Sequence, residues 1–301
     1  MGTDDSLETG YGDNTPDGDN LLNDFARGHA AAFRALAVAR GDRMLEHDDL
    51  QLTLLDNGSP SPYVNPAVPR RPLGDREWRE AATVMHEFFA QASGGPFIVF
   101  SAWPTPDLRS FGFDLIGHPP MMVRPASPVE IPTIAGFEIR QVRDMASAED
   151  YEAVLVDGYP VPELQPFQPG CFLPERALTT PGWTHYLGVL DGRAVATASA
   201  FIDHRHVKVE NVSALNDVRG RGIGYAVTAA ATATKTDRPA MLIASDAGQP
   251  TYDRMGYVAL LRYTLWLGHR RPAQQDRFAR DSNPSTDNSE PRSILNQARM
   301  R

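Results

Sequence analysis

The sequence of 301 residues predicts a mixed α/β fold built as two halves. The first observation is the order of elements after residue 135, where strands and helices alternate in the manner typical of an α/β layer. The second is a repeated segment: DLRSFGFDL (residues 107–115) is similar to YDRMGYVAL (residues 252–260), with Gly112 and Gly256 144 positions apart. A period of that size is typical of a duplicated domain.

The first half contains two stretches with apolar residues at helical spacing, residues 21–40 and 75–92. Between the second stretch and the repeated segment, PFIVFSA (residues 96–102) has the pattern of a short buried strand. A proline-rich piece, residues 119–132, is interpreted as a linker between the halves. We therefore predict one domain over residues 21–125, a linker over 126–135 and a second domain over 136–268.

The second half predicts a strand, a helix and three strands before a glycine-rich loop, and a helix, strand, short helix and strand after it. Ser147-Ala148-Glu149-Asp150 has the pattern of a capping box, which indicates a helix continuing through Asp157. The predicted strands span residues 137–142, 184–190, 193–202, 206–215, 241–245 and 257–267, and the later helices span residues 225–236 and 251–255. Asp191-Gly192 predicts a tight turn between two of the strands.

Composition excludes several classes of protein. The net charge of −9 argues against non-specific nucleic-acid binding, which depends on an excess of Lys and Arg. No stretch approaches the roughly 18 apolar residues of a membrane helix, and the acidic first residues are unlike a signal peptide. A single cysteine, Cys171, allows no internal disulfide, so we predict a cytoplasmic protein. The polar ends, residues 1–20 and 269–301, are predicted to be disordered, and monomer and homodimer both stay open.

Two histidine patterns are weak as metal sites. His204 and His206 form a pair without an evident third ligand. His86-Glu87 begins like a zincin motif, but Ala90 stands where the second histidine is needed. We predict no metal.

The segment DVRGRGIGYAV (residues 217–227) carries three alternate glycines, Gly220, Gly222 and Gly224, between a predicted strand and a predicted helix. Without side chains, the backbone N–H groups of such a loop can approach a phosphate closely. A P-loop needs a lysine here, and a dinucleotide fingerprint needs glycine at Tyr225, so both interpretations fail. The pattern instead favours a pyrophosphate site at the helix N-terminus, with positive charge from Arg219 and Arg221.

The Arg219-x-x-Gly222-x-Gly224 loop, its flanking strand and helix, and the later Tyr252-to-Tyr257 segment resemble the GNAT family of N-acetyltransferases. The resemblance covers about 130 residues, and the first half resembles a degenerate copy without the loop. It implies a mostly antiparallel central sheet flanked by helices, in tandem, and acetyl-coenzyme A as acyl donor. The residues that the family would use for that molecule are Val212, Ser213, Ala214, Arg219, Gly220, Arg221, Gly222, Ile223 and Gly224.

The resemblance also implies that strand 209–215 diverges from its neighbour and offers its backbone to the pantetheine arm. It makes Tyr252 the candidate general acid for the departing thiolate. Glu210 is a weaker candidate base, since strand alternation places it on the same face as Val212. A core tyrosine and a surface carboxylate are the plainer interpretations of these two residues. The proline-rich segment 159–174 is equally compatible with a substrate loop and a plain surface loop.

These features predict an N-acyltransferase that moves an acetyl group to the amine of a small molecule or peptide by direct attack in a ternary complex. A non-catalytic acyl-coenzyme A sensor or scaffold is the alternative. A third possibility is the same fold without any cofactor. The identity of the acceptor stays open.

Overall fold

The computed structural model describes residues 21–91, 95–159 and 161–269. The α-helices in these ranges are α1 (Leu21–Arg40), α2 (Asp75–Ala90), α3 (Met145–Gly158), α4 (Ile223–Thr232) and α5 (Gln249–Arg254). The strands are β1 (Arg43–His47), β2 (Leu52–Asp56), β3 (Pro66–Pro69), β4 (Phe97–Ser101), β5 (Phe113–Gly117), β6 (Pro120–Arg124), β7 (Phe137–Gln141), β8 (Trp183–Leu190), β9 (Arg193–Ile202), β10 (Val207–Ala214), β11 (Ala240–Ile243), β12 (Val258–Arg262) and β13 (Thr264–Gly268). Most of the predicted helix cores and the strands of the second half are confirmed.

The strands form two sheets with the orders β1-β2-β3-β4-β13-β5 and β12-β6-β11-β10-β9-β8-β7. Each sheet contains one parallel pair among the described strands, β3 with β4 and β10 with β11, and its other pairs are antiparallel. The predicted fold class, a mixed and mostly antiparallel sheet flanked by helices and present in tandem, is therefore confirmed.

The two halves exchange one strand each. Strand β13, from the end of the chain, lies between β4 and β5 of the first sheet, with Trp266 opposite Val99 and Leu115. Strand β6, from the first half, lies between β11 and β12 of the second sheet, with Met122 opposite Leu242 and Ala259. Both exchanged strands follow the repeated segment, so the repeat marks equivalent positions in the two halves. The predicted domains are continuous segments of the chain, whereas each sheet contains one strand from the other predicted domain.

The exchange corrects two expectations. The proline-rich piece at residues 119–132 does not serve only as a linker, because Pro120–Arg124 is strand β6, which lies inside the second sheet between β12 and β11. Residues 257–267 form two strands in different sheets instead of one, and the chain passes between them at Tyr263, whose N–H donates to the carbonyl of Pro119. Both errors arise because long-range pairing, not local pattern, decides these segments.

The capping box of α3 also differs from the predicted one. The helix begins at Met145, and Asp144 is its N-cap, accepting a hydrogen bond from the N–H of Ser147 at 2.8 Å. Ser147 therefore occupies the third helical position instead of opening the helix.

Helix α1 packs against both halves. Its Phe25 and Ala30 lie in a buried cluster with Val68 of the first sheet and Met241 of the second. Further along, Ala32 and Leu36 pack against Tyr151 of α3 and Trp183 of β8, and the indole of Trp183 donates to the carbonyl of Ala32. The helix thus connects the two sheets through apolar burial.

The predicted disordered ends, residues 1–20 and the tail after His269, lie outside the described residues. Among the residues that are described, no helix combines the length and apolar character that crossing a bilayer requires.

Replacing Trp266 by Ala tests the strand exchange. This side chain comes from the last strand but is buried in the core of the first sheet, and its indole donates to Thr105. We expect Trp266→Ala to lower the free energy of unfolding by about 3–5 kcal/mol in urea denaturation. Because each half supplies a strand to the other, both should unfold in one transition. Leu260→Ala, at an exposed position of β12, should change stability by less than about 0.5 kcal/mol. A Trp266→Ala curve like that of Leu260→Ala would contradict the exchange.

Candidate functional site

The two parallel strands of the second sheet diverge. Strands β10 and β11 pair at Val207 with Ala240 and at Lys208 with Met241, and no pair follows in the described register. The antiparallel pairing of β10 with β9 shifts between Glu210 and Ser213, where Asn211 has a left-handed φ of 54°. This bulge bends the strand, and the Thr197 hydroxyl holds it by donating to the carbonyl of Asn211 at 2.7 Å. One edge of β10 is therefore left without a partner strand beyond Lys208.

The bulge changes which face each side chain occupies. Val212 packs with the apolar cluster that contains Val209, on the side of α4. Lys208 and Glu210 point to the opposite side, where Lys208 contacts the ring of Phe33 from α1. The expectation that Glu210 and Val212 share a face is therefore wrong, because an extra residue in the bulge reverses the alternation.

The glycine loop connects β10 to α4. Gly220 and Gly222 have φ of 78° and 80°, a left-handed conformation that favours glycine, and Gly222 is the N-cap of α4. A Cβ at Gly220 or Gly224 would meet nothing within 4 Å, and one at Gly222 would meet only Ile134, at 3.7 Å. The loop therefore presents bare backbone to open space.

The N–H groups of this loop are free to bind an acceptor. Among the described residues, no backbone or side-chain acceptor takes the N–H of Gly220, Arg221 or Gly222. The N–H groups of Ile223 and Gly224 belong to the first turn of α4, which an α-helix leaves unpaired. Together with the helix dipole they form a site for an anion.

The two loop arginines differ in what they contact. Arg219 donates to the carbonyl of Gly158 at 3.0 Å and to that of Ala214 at 3.3 Å, so it ties the loop to the ends of α3 and β10. Gly158 fits because a Cβ there would collide with the hydroxyl of Ser213. Arg221 is exposed. Both arginines were predicted to supply positive charge to a phosphate. Arg221 is therefore the one that is available for this role, while Arg219 holds the loop in place.

The equivalent turn of the first half is occupied by its own carboxylate. Between β3 and α2, Glu77 accepts the N–H of the N-cap residue Gly74 at 2.8 Å and pairs with Arg71 at 2.6 Å. The hydrogen bond from Arg71, helped by that of Gly74, lowers the pKa of Glu77 to about 2. In the first half, a charged carboxylate thus accepts the N–H of the N-cap residue, whereas the second half leaves its loop N–H groups free. This difference agrees with a first half that has lost the glycine loop.

Tyr252 lies on α5 with 9% of its surface exposed. Its ring packs edge-on against Tyr257 at 6.0 Å, and its hydroxyl lies 3.4 Å from where a Cβ of Gly248 would be. Burial raises the pKa of Tyr252, so the hydroxyl carries its proton at neutral pH. It can therefore donate a hydrogen bond.

Glu210 is paired with a buried lysine. The Nζ of Lys208, with 1% exposure, lies 2.7 Å from the Glu210 carboxylate, and the Nδ1 of His29 lies at 4.0 Å. Burial lowers the pKa of Lys208, and Glu210 opposes that shift. Burial, and then the charge of Lys208, hold the pKa of His29 well below its usual range, so its ring is neutral. Neither partner of Glu210 was predicted, although the spacing Lys208-x-Glu210 on a strand indicates two side chains on the same face.

The first half reaches the diverging strand through Tyr63. Its ring packs edge-on against Tyr159 at 5.8 Å, and the neighbouring Ser61 donates to Glu163 at 3.1 Å. Tyr159 follows Gly158, which packs on Ser213 and Ala214. No local signal in the sequence connects these residues, because they meet only between the halves.

The proline-rich segment is anchored by a buried carboxylate. Glu152 of α3 accepts the N–H groups of Gly170, Phe172 and Leu173 at 2.6, 2.5 and 2.7 Å. The loop is therefore held in one conformation. Burial raises the pKa of the Cys171 thiol to about 11, which disfavours the reactive thiolate.

His204 and His206 do not form a metal centre with other ligands. The N–H of His206 donates to Asp203, and its ring packs beside Phe25 of α1. Among the described residues, no three His, Cys, Asp or Glu side chains gather as a metal ion would require.

Comparison with known proteins gives matches of structure but not of sequence. No protein-family model and no curated protein matches the chain. A GCN5-related N-acetyltransferase from Kribbella flavida is similar, with a TM-score of 0.62 and 21% identity over 82% of this chain and 95% of its own. A functionally unknown conserved protein from Staphylococcus epidermidis has a TM-score of 0.57 and 15% identity over 76% of this chain and 95% of its own.

A GCN5-related N-acetyltransferase from Sphaerobacter thermophilus has a TM-score of 0.50 and 15% identity over 77% of this chain and 76% of its own. At such identities the likeness concerns the fold. The chain has the fold of the GCN5-related N-acetyltransferases, as the glycine loop and its flanking elements indicated.

Proposed function

We propose that the chain is an N-acyltransferase that moves the acetyl group of acetyl-coenzyme A to a primary amine by direct attack in a ternary complex. One observation carries this proposal: the unpaired edge of β10 leads, through residues 215–219, to a loop whose free N–H groups, from Gly220 to Gly222, lie at the N-terminus of α4. An extended amide edge that ends in an anion site suits a ligand with an amide-rich arm and a pyrophosphate. The fold supports the same assignment.

The second half would hold the donor with its backbone. In this proposal the backbone of Val212, Ser213 and Ala214, on the edge of β10 that no strand covers, binds the pantetheine arm. The N–H groups from Gly220 to Gly224 and the N-terminus of α4 bind the pyrophosphate, with Arg221 adding positive charge. When bound, acetyl-coenzyme A supplies a thioester whose carbonyl carbon an amine can attack.

Two side chains would handle the protons. The attacking amine must be neutral, and Glu210 accepts its proton directly or through water. The Nζ of Lys208, 2.7 Å from the Glu210 carboxylate, fixes the position of that carboxylate. The hydroxyl of Tyr252 donates a proton to the sulfur as the carbon–sulfur bond breaks, so one proton leaves the amine and one reaches the thiol.

The Lys208–Glu210 pair also favours a second candidate function. The Glu210 carboxylate already contacts a buried ammonium, so it is less free to contact a substrate amine. In a non-catalytic acyl-coenzyme A sensor or scaffold, the pair would serve only to hold α1 against β10. Such a protein would bind the donor without releasing free thiol.

Calorimetric titration with acetyl-coenzyme A tests the donor site. We expect the native protein to bind and Gly222→Glu to lose binding, because the new carboxylate blocks the loop and repels the pyrophosphate. Gly41→Glu is the matched control, since Gly41 also has a left-handed φ, of 78°, and open surroundings, but lies in the first half. Equal binding by native protein and Gly222→Glu, or no binding by native protein, would remove the proposal.

Thiol release with a panel of primary amines tests the chemistry. We expect Tyr252→Phe to lower kcat by about 10²–10⁴-fold and to leave the binding of acetyl-coenzyme A unchanged. Tyr257→Phe is the control, because that hydroxyl bonds Thr232 in the core. An unchanged kcat in Tyr252→Phe would exclude the proposed acid, and binding without thiol release from any amine would favour the sensor.

A further inference from the structure

A cleft lies between the two halves. It has a volume of about 480 Å³ and is lined by residues 57–60 of the first half and by the proline-rich segment of the second. Its polar lining consists of Arg40, Asn57, Ser59, Glu163, Gln165 and Gln168. This volume suits a small organic molecule.

The unpaired charge of the cleft is negative. The guanidinium of Arg40 lies 2.6 Å from Asp42, and both side chains are almost fully buried, so this cation is already neutralised. Glu163 accepts a hydrogen bond from Ser61, and no cationic side chain pairs with it among the residues that the structure describes. A cationic ligand would therefore complete the lining.

Two aromatic rings accompany that carboxylate. Tyr63 and Tyr159, with 37% and 40% of their surfaces exposed, pack edge-on against each other at 5.8 Å. Glu163 is close enough to Tyr63 to contribute, after burial, to a raised pKa of its hydroxyl. Aromatic faces beside a carboxylate are the groups that bind organic ammonium ions.

The same residues border the reacting centre. Tyr159 follows Gly158, which packs on the diverging strand at Ser213 and Ala214. Tyr159 is also close enough to Tyr252 and Glu210 for both, after burial and Tyr63, to contribute to the raised pKa of its hydroxyl. Tyr159 therefore links the Tyr63 and Glu163 side of the cleft to the strand that carries Glu210.

Polar groups beside Glu210 still lack partners. Both ring nitrogens of His29 and the hydroxyl of Tyr263 are buried and accept or donate no hydrogen bond within the described part of the chain. Because such groups are costly to leave unpaired, they favour a polar occupant next to Glu210.

We propose that the acceptor is an amine with a second cationic group, and that Glu163, together with the neighbouring Tyr63–Tyr159 pair, binds this second group while the reacting amine lies at Glu210 and Tyr252. The inference rests on the acyltransferase function proposed above, and it names the class of its substrate. It also gives the first half a role, because Tyr63 and Ser61 form one side of the cation site. On the other side of the cleft, Glu152 accepts three N–H groups from residues 170–173, and these hydrogen bonds keep the site preformed.

Calorimetric titration with α,ω-diaminoalkanes of increasing length tests this site, each compared with the monoamine of the same length, with and without free coenzyme A. We expect at least one diamine to bind the native protein about tenfold or more tightly than its monoamine. Glu163→Gln should abolish that preference, since it removes the charge and keeps the shape. Glu149→Gln is the matched control, because it removes the same charge from an exposed position of α3 and should keep the preference.

Thermal unfolding shows that the variants remain folded, and thiol release from acetyl-coenzyme A separates this inference from the proposed function. Equal binding of diamines and monoamines, no binding of either, or an unchanged preference in Glu163→Gln would overturn the cation site. Thiol release with monoamines as fast as with diamines would leave the acyltransferase standing and this inference refuted. Diamine binding that depends on Glu163 without thiol release would keep the site and refute the transferase.

Discussion

The divergence of β10 from β11 is the feature on which the site depends. If the parallel pairing continued past Lys208 and Met241, the backbone of Val212 to Ala214 would be satisfied within the sheet and no ligand could pair with it. The bulge at Asn211 bends the strand and places Val212 on the face opposite to Glu210. The glycine loop follows β10 in the chain and presents its free N–H groups at the N-terminus of α4.

The strand exchange makes the two halves one structural unit. Strand β13 completes the first sheet and β6 the second, so neither core is complete without the other half of the chain. The first half has kept this framework while Glu77 fills its own helix N-terminus with a carboxylate. What remains of its contribution to the site lies at the edge, where Tyr63 and His29 approach the second half.

Local pattern was sufficient for the elements that depend on neighbouring residues. The apolar spacing of α1, the Asp191-Gly192 turn of the β8–β9 hairpin and the alternate glycines of the loop are all visible in the sequence. The split of residues 257–267 at Tyr263 was not, because the two resulting strands belong to different sheets. The bulge was not predicted either. Asparagine tolerates a left-handed φ, but many asparagines adopt it only in turns, so Asn211 by itself did not indicate a bulge inside a strand.

The side-chain cluster at Glu210 was also beyond local pattern. Glu210 was found as a residue of the diverging strand, but its contacts with His29 and Lys208 arise when α1 packs across β10. The same holds for Glu163 and Ser61, which are 102 positions apart. Sequence patterns therefore indicated the proposed donor site, which consists of backbone, better than the proposed acceptor site, which is assembled from distant side chains.

Hydrogen–deuterium exchange with and without acetyl-coenzyme A tests most directly whether the backbone of the second half alone holds the donor. We expect the ligand to slow exchange in residues 212–225, where free N–H groups become bonded, and to leave the exchange rates of residues 70–77 in the first half unchanged. Protection at residues 70–77, or no change at residues 212–225 under saturating ligand, would contradict it.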